Sequence, residues 1–141
     1  MLRKLFLAFA LIGVLAAMPA ALPAVADSPD PLFVNLTSDD DHRANMAITF
    51  SKSQLERGHP VTIFLNDRGV FVGAKSSAEK FKGQQQALAE MMAKGAVVIV
   101  CPFCAKHYGI DTANLIDGAK LGNPDLTGSL LFKDDTKTMS W

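Results

Sequence analysis

Three short runs of aliphatic and β-branched residues predict the main strands of this chain. They are Leu32–Leu36, Val61–Leu65 and Val97–Val100, each bounded by polar, glycine or proline residues. Runs of this length and composition are typical of buried strands, which show no alternation of apolar and polar positions.

Helical periodicity separates these strands. After Asp39-Asp40-Asp41, apolar positions recur on one face from Ala44 to Leu55, and Gly58 and Pro60 predict that the helix ends near Arg57. A second helix is predicted over 84–94, preceded by a polar, mobile loop at 75–83. Strand, helix and strand in this order form a right-handed unit with parallel strands, and the third strand is expected to be parallel as well.

The rest of the pattern is less decisive. Residues 70–72 are apolar but of unsettled type, 111–117 predict a short helix, 125–132 fit a helix or a strand, and 136–141 fit a final edge strand. The predicted fold class is α/β: a single domain with a parallel-type sheet of about four or five strands, flanked by helices.

The first 26 residues have the pattern of a cleavable signal peptide. Arg3 and Lys4 precede an uncharged apolar run at 5–18, and Ala24-Val25-Ala26 is an A-x-A cleavage site. We expect cleavage after Ala26, one α/β domain over 27–141, and a periplasmic or secreted protein; the competing interpretation is an uncleaved membrane anchor. After cleavage no membrane association is expected.

The net charge of the domain argues against nucleic acid as a partner. The chain has 14 basic and 14 acidic residues, and the signal peptide removes two of the basic ones. The remaining domain is slightly negative, which gives no electrostatic basis for binding nucleic acid.

A Cys-Pro-Phe-Cys motif directly after the third strand is the main candidate for chemistry. Cys101 and Cys104 are the only cysteines. Pro102 suits the first position of a helix, so Cys101 is expected at a helix N-terminus, where free N–H groups favour a thiolate. Cys104 lies one turn further on, within reach for a disulfide. We predict Cys101 and Cys104 as catalytic residues.

Secondary candidates come from the ends of the other strands. Ligands of parallel α/β sheets bind beyond the carboxyl ends of the strands, where Ser38, Asn66 and Asp67 are expected. His107, one turn beyond Cys104, could lower the pKa of a thiol or ligate a metal. The simpler interpretations are a helix cap for Ser38, a turn for Asn66 and Asp67, and a surface position for His107.

The spacing argues against several cofactors. Ala105 stands where c-type haem attachment requires a histidine, and the motif with His107 offers three ligands where structural zinc needs four. A soft Cu(I) site stays open, but no metal and no cofactor is predicted. The motif also follows a late strand, which argues against a thioredoxin fold without excluding dithiol chemistry.

The chain resembles the DsrE/DsrF-like family, whose fold is shared with the sulfur-relay subunits TusB, TusC and TusD. The resemblance lies in the first two strands with their following residues, in Val100-Cys101-Pro102-Phe103-Cys104, in 109–111 and in 138–141. It implies a homo- or hetero-oligomer and, in sulfurtransferase members, a persulfide on the cysteine after a late strand, which here is Cys101. The export signal and Cys104 depart from the cytoplasmic relay proteins.

The predicted function is therefore that of an exported protein that handles sulfur or thiols, with a persulfide on Cys101. Sulfurtransferase and thiol–disulfide exchange activity both stay open, as does whether it is an enzyme. Expected partners are a second copy of the chain, a sulfur donor or acceptor protein, and a thiol reductant. The alternatives are a binding module with Cys101, Cys104 and His107 as soft ligands for a metal, a module for another small ligand, or a structural subunit.

Overall fold

A five-stranded sheet with every neighbouring pair parallel forms the centre of the protein. The computed structural model describes residues 29–141. The strand order is β4-β3-β2-β1-β5, so the predicted parallel sheet of about four or five strands is confirmed. The strands are β1 (Leu32–Leu36), β2 (Val61–Leu65), β3 (Val97–Val100), β4 (Lys120–Leu121) and β5 (Lys137–Ser140). The predicted signal peptide and its cleavage site lie outside the described residues.

Four α-helices and three short 3-10 segments connect the strands. The helices are α1 (Asp41–Glu56), α2 (Ala78–Ala93), α3 (Pro102–His107) and α4 (Pro124–Leu131), and the 3-10 segments are Asp67–Gly73, Lys75–Ser77 and Thr112–Asn114. In the described part of the chain, no helix combines the length and the apolar character needed to cross a membrane.

Helix α1 begins and ends where its sequence predicts. The side chain of Asp40 accepts a hydrogen bond from the N–H of Arg43 at 2.9 Å, which caps the first turn. Gly58 follows the helix with a positive φ of 93°, a conformation that glycine adopts without strain. Helices α1 and α2 pack against each other and against one face of the sheet, where they bury the main core.

The prediction of a mobile loop at 75–83 is wrong. Residues 75–77 form a 3-10 turn and α2 already begins at Ala78. Phe81, only 1% exposed, anchors this segment in the core although its φ of −111° and ψ of 26° depart from helical values. The unsettled apolar stretch 70–72 belongs to a 3-10 helix, 125–132 is mostly helical, and the predicted edge strand near the end is β5.

The opposite face of the sheet carries a smaller apolar layer. Side chains alternate along a strand, so Phe33 and Phe64 project away from the main core, with ring centroids 6.1 Å apart. Gly122, just after β4, lies close above Ile99: a Cβ there would be 3.0 Å from the Ile99 side chain and 3.3 Å from the Thr127 hydroxyl. This close approach brings the start of α4 alongside the end of β3.

Candidate functional site

Cys101 lies at the junction of β3 and α3. Its N–H donates to the carbonyl oxygen of Leu65 at 2.9 Å, which continues the parallel ladder by one residue, and its extended backbone ends the strand. Pro102 occupies the first position of α3. The Sγ of Cys101 then accepts the main-chain N–H of Cys104 at 3.4 Å and caps the helix. This is the strand-to-helix geometry expected from the sequence.

The two half-buried thiols are free and differ in their surroundings. Burial raises the pKa of the Cys104 thiol above its ordinary 9.0, and a hydrogen bond to Cys101 raises it further. A main-chain hydrogen bond from Asp67 acts in the opposite direction. Cys104 is therefore protonated at neutral pH.

Asp67 connects the end of β2 to this motif. It begins the 3-10 helix with φ of 44°, a left-handed conformation that is uncommon outside glycine and more accessible to Asp and Asn. Its carboxylate accepts the hydroxyl of Tyr108, the residue after α3, and this raises the pKa of Tyr108. Of the secondary candidates, Asp67 is the one that reaches Cys104.

An ion pair extends this network to the end of β1. Arg68 donates to both carboxylate oxygens of Asp39, at 2.8 Å from Nε and 2.6 Å from Nη2. These hydrogen bonds are the main cause of the lowered pKa of Asp39. The Arg68 guanidinium also lies 5.4 Å from the ring centroid of Phe71 and 5.7 Å from that of Tyr108. The residues that follow β1 and β2 are thus joined to each other and to the end of α3 through side chains.

The contacts found for the other secondary candidates are with groups other than the thiols. Ser38 accepts the N–H of Asp40 at 3.1 Å, near the start of α1. Asn66 donates from Nδ2 to Oδ1 of Asn35 at 2.9 Å, which links β2 to β1. His107 is exposed with its ring edge-on to Tyr108, at 4.8 Å between centroids. Within residues 29–141 no group of three or more His, Cys, Asp or Glu side chains is placed to hold a metal ion. Cys101, Cys104 and His107 therefore do not form the three-ligand set considered from the sequence.

Sequence reasoning missed Arg68 and Tyr108. Arg68 directly follows Asp67, which the sequence had indicated as a residue at the end of a strand. The same reasoning could therefore have placed Arg68 at this edge of the sheet. Tyr108 enters from the end of α3, and no spacing signal connects it with Asp67, its partner 41 residues earlier.

Two pockets flank the network. One of about 210 Å³ borders Cys101, and its wall includes Phe64 and Phe103. The other, of about 490 Å³, borders Asp39 and Arg68. The site can therefore present a thiol to an apolar cavity on one side and charged groups to a wider cavity on the other.

Two sequence relatives have names that assign no activity. An 80-residue segment is 38% identical to the uncharacterized protein MJ0989 of Methanocaldococcus jannaschii, covering 56% of this chain and 70% of that protein. A segment of the same length is 32% identical to the uncharacterized protein MK0008 of Methanopyrus kandleri, covering 56% of this chain and 66% of that one.

Solved structures agree in fold at low sequence identity. The protein of unknown function MTH1491 from Methanobacterium thermoautotrophicum superposes with a TM-score of 0.66 at 13% identity, covering 79% of this chain and 99% of that one. The ychN protein from E. coli gives a TM-score of 0.64 at 18% identity, covering 80% and 99%.

The match to a family model is broader than either sequence relative. The model of the DsrE/DsrF-like family matches residues 32–135, which takes in all the strands but β5 and all four α-helices. The chain belongs to the DsrE/DsrF-like family.

Proposed function

We propose that this protein carries sulfane sulfur as a persulfide on Cys101, with Cys104 as the resolving thiol. The observation that carries the proposal is the hydrogen bond from the N–H of Cys104 to the Sγ of Cys101 at 3.4 Å, between two free thiols at the carboxyl end of a parallel strand. A hydrogen-bond donor directed at a sulfur stabilises negative charge on it, and the thiolate is the nucleophilic form.

The two cysteines are suited to different steps. The raised pKa of Cys104 keeps that thiol protonated while Cys101 reacts first. Cys104 also lies next to Cys101 in the first turn of α3, so it can attack once Cys101 carries a leaving sulfur.

The proposed reaction balances without a cofactor. The Cys101 thiolate attacks the terminal sulfur of a donor persulfide, R–S–SH, which forms Cys101–S–SH and releases R–S⁻. Cys104 then loses its proton and attacks the Sγ of Cys101 as a thiolate. The Cys101–Cys104 disulfide forms, and the outer sulfur leaves as HS⁻, which takes up the proton to give hydrogen sulfide. A thiol reductant restores both thiols. Alternatively, an acceptor thiolate attacks the outer sulfur, takes it as its own persulfide and leaves the Cys101 thiolate.

Whole-protein mass spectrometry after incubation with a sulfane-sulfur donor tests the proposal. We expect a gain of one or more sulfur atoms that accumulates in Cys104→Ser and is absent in Cys101→Ser. The double variant contains no thiol and measures non-specific addition.

Other outcomes of this experiment are equally informative. Sulfur that accumulates in Cys101→Ser but not in Cys104→Ser would reverse the two roles. If the reduced, folded protein gains no sulfur at either cysteine, the proposal is wrong. Disulfide formation without sulfur addition would favour dithiol exchange by the same residues.

We further propose that the domain acts outside the cytoplasm after cleavage at Ala26. The support is the sequence pattern of residues 1–26. Sequencing the N-terminus of the exported protein should give Asp27 as the first residue, and a protein that keeps its first residues would contradict cleavage.

A homo-oligomer is proposed as its assembled form. The proposal rests on membership of the DsrE/DsrF-like family, in which homo- and hetero-oligomers are common. Light scattering at micromolar concentration should give a multiple of the monomer mass, and a monomer mass would contradict the proposal. A sulfur donor or acceptor protein and a thiol reductant are the other proposed partners.

A further inference from the structure

The pocket beside Cys101 is uncharged as well as small. It has a volume of about 210 Å³, and apart from Cys101 itself none of the described residues that line it has an ionisable side chain. Apolar and weakly polar groups form its wall next to the thiol, among them Phe64, Pro102, Phe103, Pro124 and Thr127. A charged molecule that entered this pocket would lose hydration without gaining an ion pair.

The N-terminus of α4, which forms part of the wall, does not provide an anion site either. Pro124 has no N–H, the N–H of Leu126 donates to the Asn123 side chain at 2.8 Å, and the N–H of Thr127 donates to the Asn123 carbonyl oxygen at 2.9 Å. The first turn also contains Asp125, whose negative charge opposes an anion.

The larger pocket of the site, by contrast, is lined by charged groups. Four of the residues in its lining have ionisable side chains: Asp39, Arg68, Glu79 and Lys80. The two cavities therefore differ in the ligands that they favour, and the thiol proposed as the nucleophile borders the uncharged one.

We propose that Cys101 reacts selectively with uncharged, apolar sulfur compounds, such as neutral organic persulfides and disulfides, and discriminates against anionic ones. This substrate class rests on the proposed role of Cys101. The apolar group of the donor occupies the pocket, and its sulfur lies at the pocket wall formed by Cys101.

Two disulfide reagents that differ in charge test the selectivity. Dithiodipyridine is neutral and dithiobis(nitrobenzoate) is a dianion, and each reacts in one step: the thiolate attacks one sulfur, forms a mixed disulfide and releases a coloured thiolate or thione. The rate constants are measured on folded Cys104→Ser, in which Cys101 is the single thiol, and on the same variant unfolded in urea.

For each state of the protein, the rate constant for the neutral reagent is divided by that for the anionic reagent. Selectivity is this ratio in the folded protein divided by the same ratio in the unfolded protein. Because an anion gains no compensating contact in the pocket, we expect this ratio to be about tenfold or more. An equal ratio in the folded and unfolded protein would overturn the proposal.

Two pairs of variants in the Cys104→Ser background locate the effect. Thr127→Lys places a cation in the pocket wall and should reduce the selectivity, whereas Ser129→Lys adds the same charge to α4 at an exposed position outside the lining and should leave it unchanged. Phe103→Ser removes an exposed aromatic ring from the wall and should also reduce the selectivity. Phe132→Ser, which removes a similarly exposed ring elsewhere, should not. Equal effects within each pair would contradict a role for the pocket.

This experiment and the sulfur-transfer experiment can fail separately. Sulfuration of Cys101 without selectivity would refute the substrate class alone. Selectivity without sulfuration would show that the pocket recognises apolar sulfur compounds while refuting the persulfide function.

Discussion

Arg68 donates two hydrogen bonds to the carboxylate of Asp39, and these lower the pKa of that carboxyl below its ordinary 3.8. The sign of the pH dependence follows: the pair stabilises the folded protein above about pH 4, and this contribution is lost as the pH falls through the lowered pKa. We expect Arg68→Gln to lower the free energy of unfolding by a small amount at pH 7. The pH-dependent part of this loss should vanish in acid.

Urea unfolding of both proteins at several pH values measures this difference. Lys75→Gln is the matched control, because its partner Asp117 is 93% exposed and that ion pair should contribute little at any pH. A loss in Arg68→Gln that is the same at neutral and acidic pH would assign the effect to packing on Phe71 and Tyr108 instead.

Substitution by alanine should have opposite effects on stability at Gly69 and at Gly83. A Cβ on Gly69 would lie 2.0 Å from the carbonyl oxygen of Leu36, so Gly69→Ala must displace the backbone that holds Asp67 in place. We expect it to destabilise the protein by several kcal/mol, in the range of the largest single-residue effects. Gly83 lies inside α2 with no atom within 4 Å of a Cβ, and Gly83→Ala should stabilise by about 0.5–1 kcal/mol. Thermal unfolding compares the two, and a neutral Gly69→Ala would contradict the close packing.

The raised pKa of Cys104 predicts slow alkylation near neutral pH. In Cys101→Ser the contribution of the Cys101 thiol to the raised pKa of Cys104 is removed, but burial, the largest cause, remains. The rate of iodoacetamide alkylation in this variant should therefore rise with pH to a midpoint above that of the same protein unfolded in urea. A folded midpoint at or below the unfolded one would be inconsistent with the buried thiol.

Asp67→Asn should lower the pKa of Cys104, because the negative charge of Asp67 is one of the causes that raise it. Asparagine also tolerates the left-handed backbone at this position, so the loop should keep its conformation. The measurement is again the pH at the midpoint of Cys104 alkylation, in the Cys101→Ser background. Asp117→Asn removes an exposed carboxylate elsewhere and should leave the midpoint unchanged; an equal shift in both variants would indicate a general charge effect.

Sequence alone was sufficient for the elements whose signals are local. β1, β2 and β3 are continuous aliphatic runs because the sheet buries them, and α1 has its cap and stop residues next to it in sequence. The start of α2 was missed because residues 75–83 are mostly polar. They are ordered by distant contacts, such as the burial of Phe81 and the 2.6 Å hydrogen bond from Lys80 to the carbonyl oxygen of Asp39.

The same distinction applies to the site. The positions of the strand ends in the sequence predicted that Asp67 and the cysteine motif lie at the same edge of the sheet, because backbone topology alone brings them together. The Tyr108 hydroxyl on Asp67 and the Arg68 guanidinium between two rings depend on side-chain conformations in three dimensions. No periodicity in the sequence encodes such contacts.

The position of β5 has a consequence for the order of folding. β1 pairs on one side with β2, which follows soon after it, but on the other side with β5, and Thr37 meets its partner Trp141 across 104 residues. Pairing over such a separation is slow because the intervening chain must first be brought together. Until then the outer edge of β1, with its aliphatic residues, is open to pairing with another chain. A nascent or partly unfolded chain is therefore exposed to aggregation at this edge.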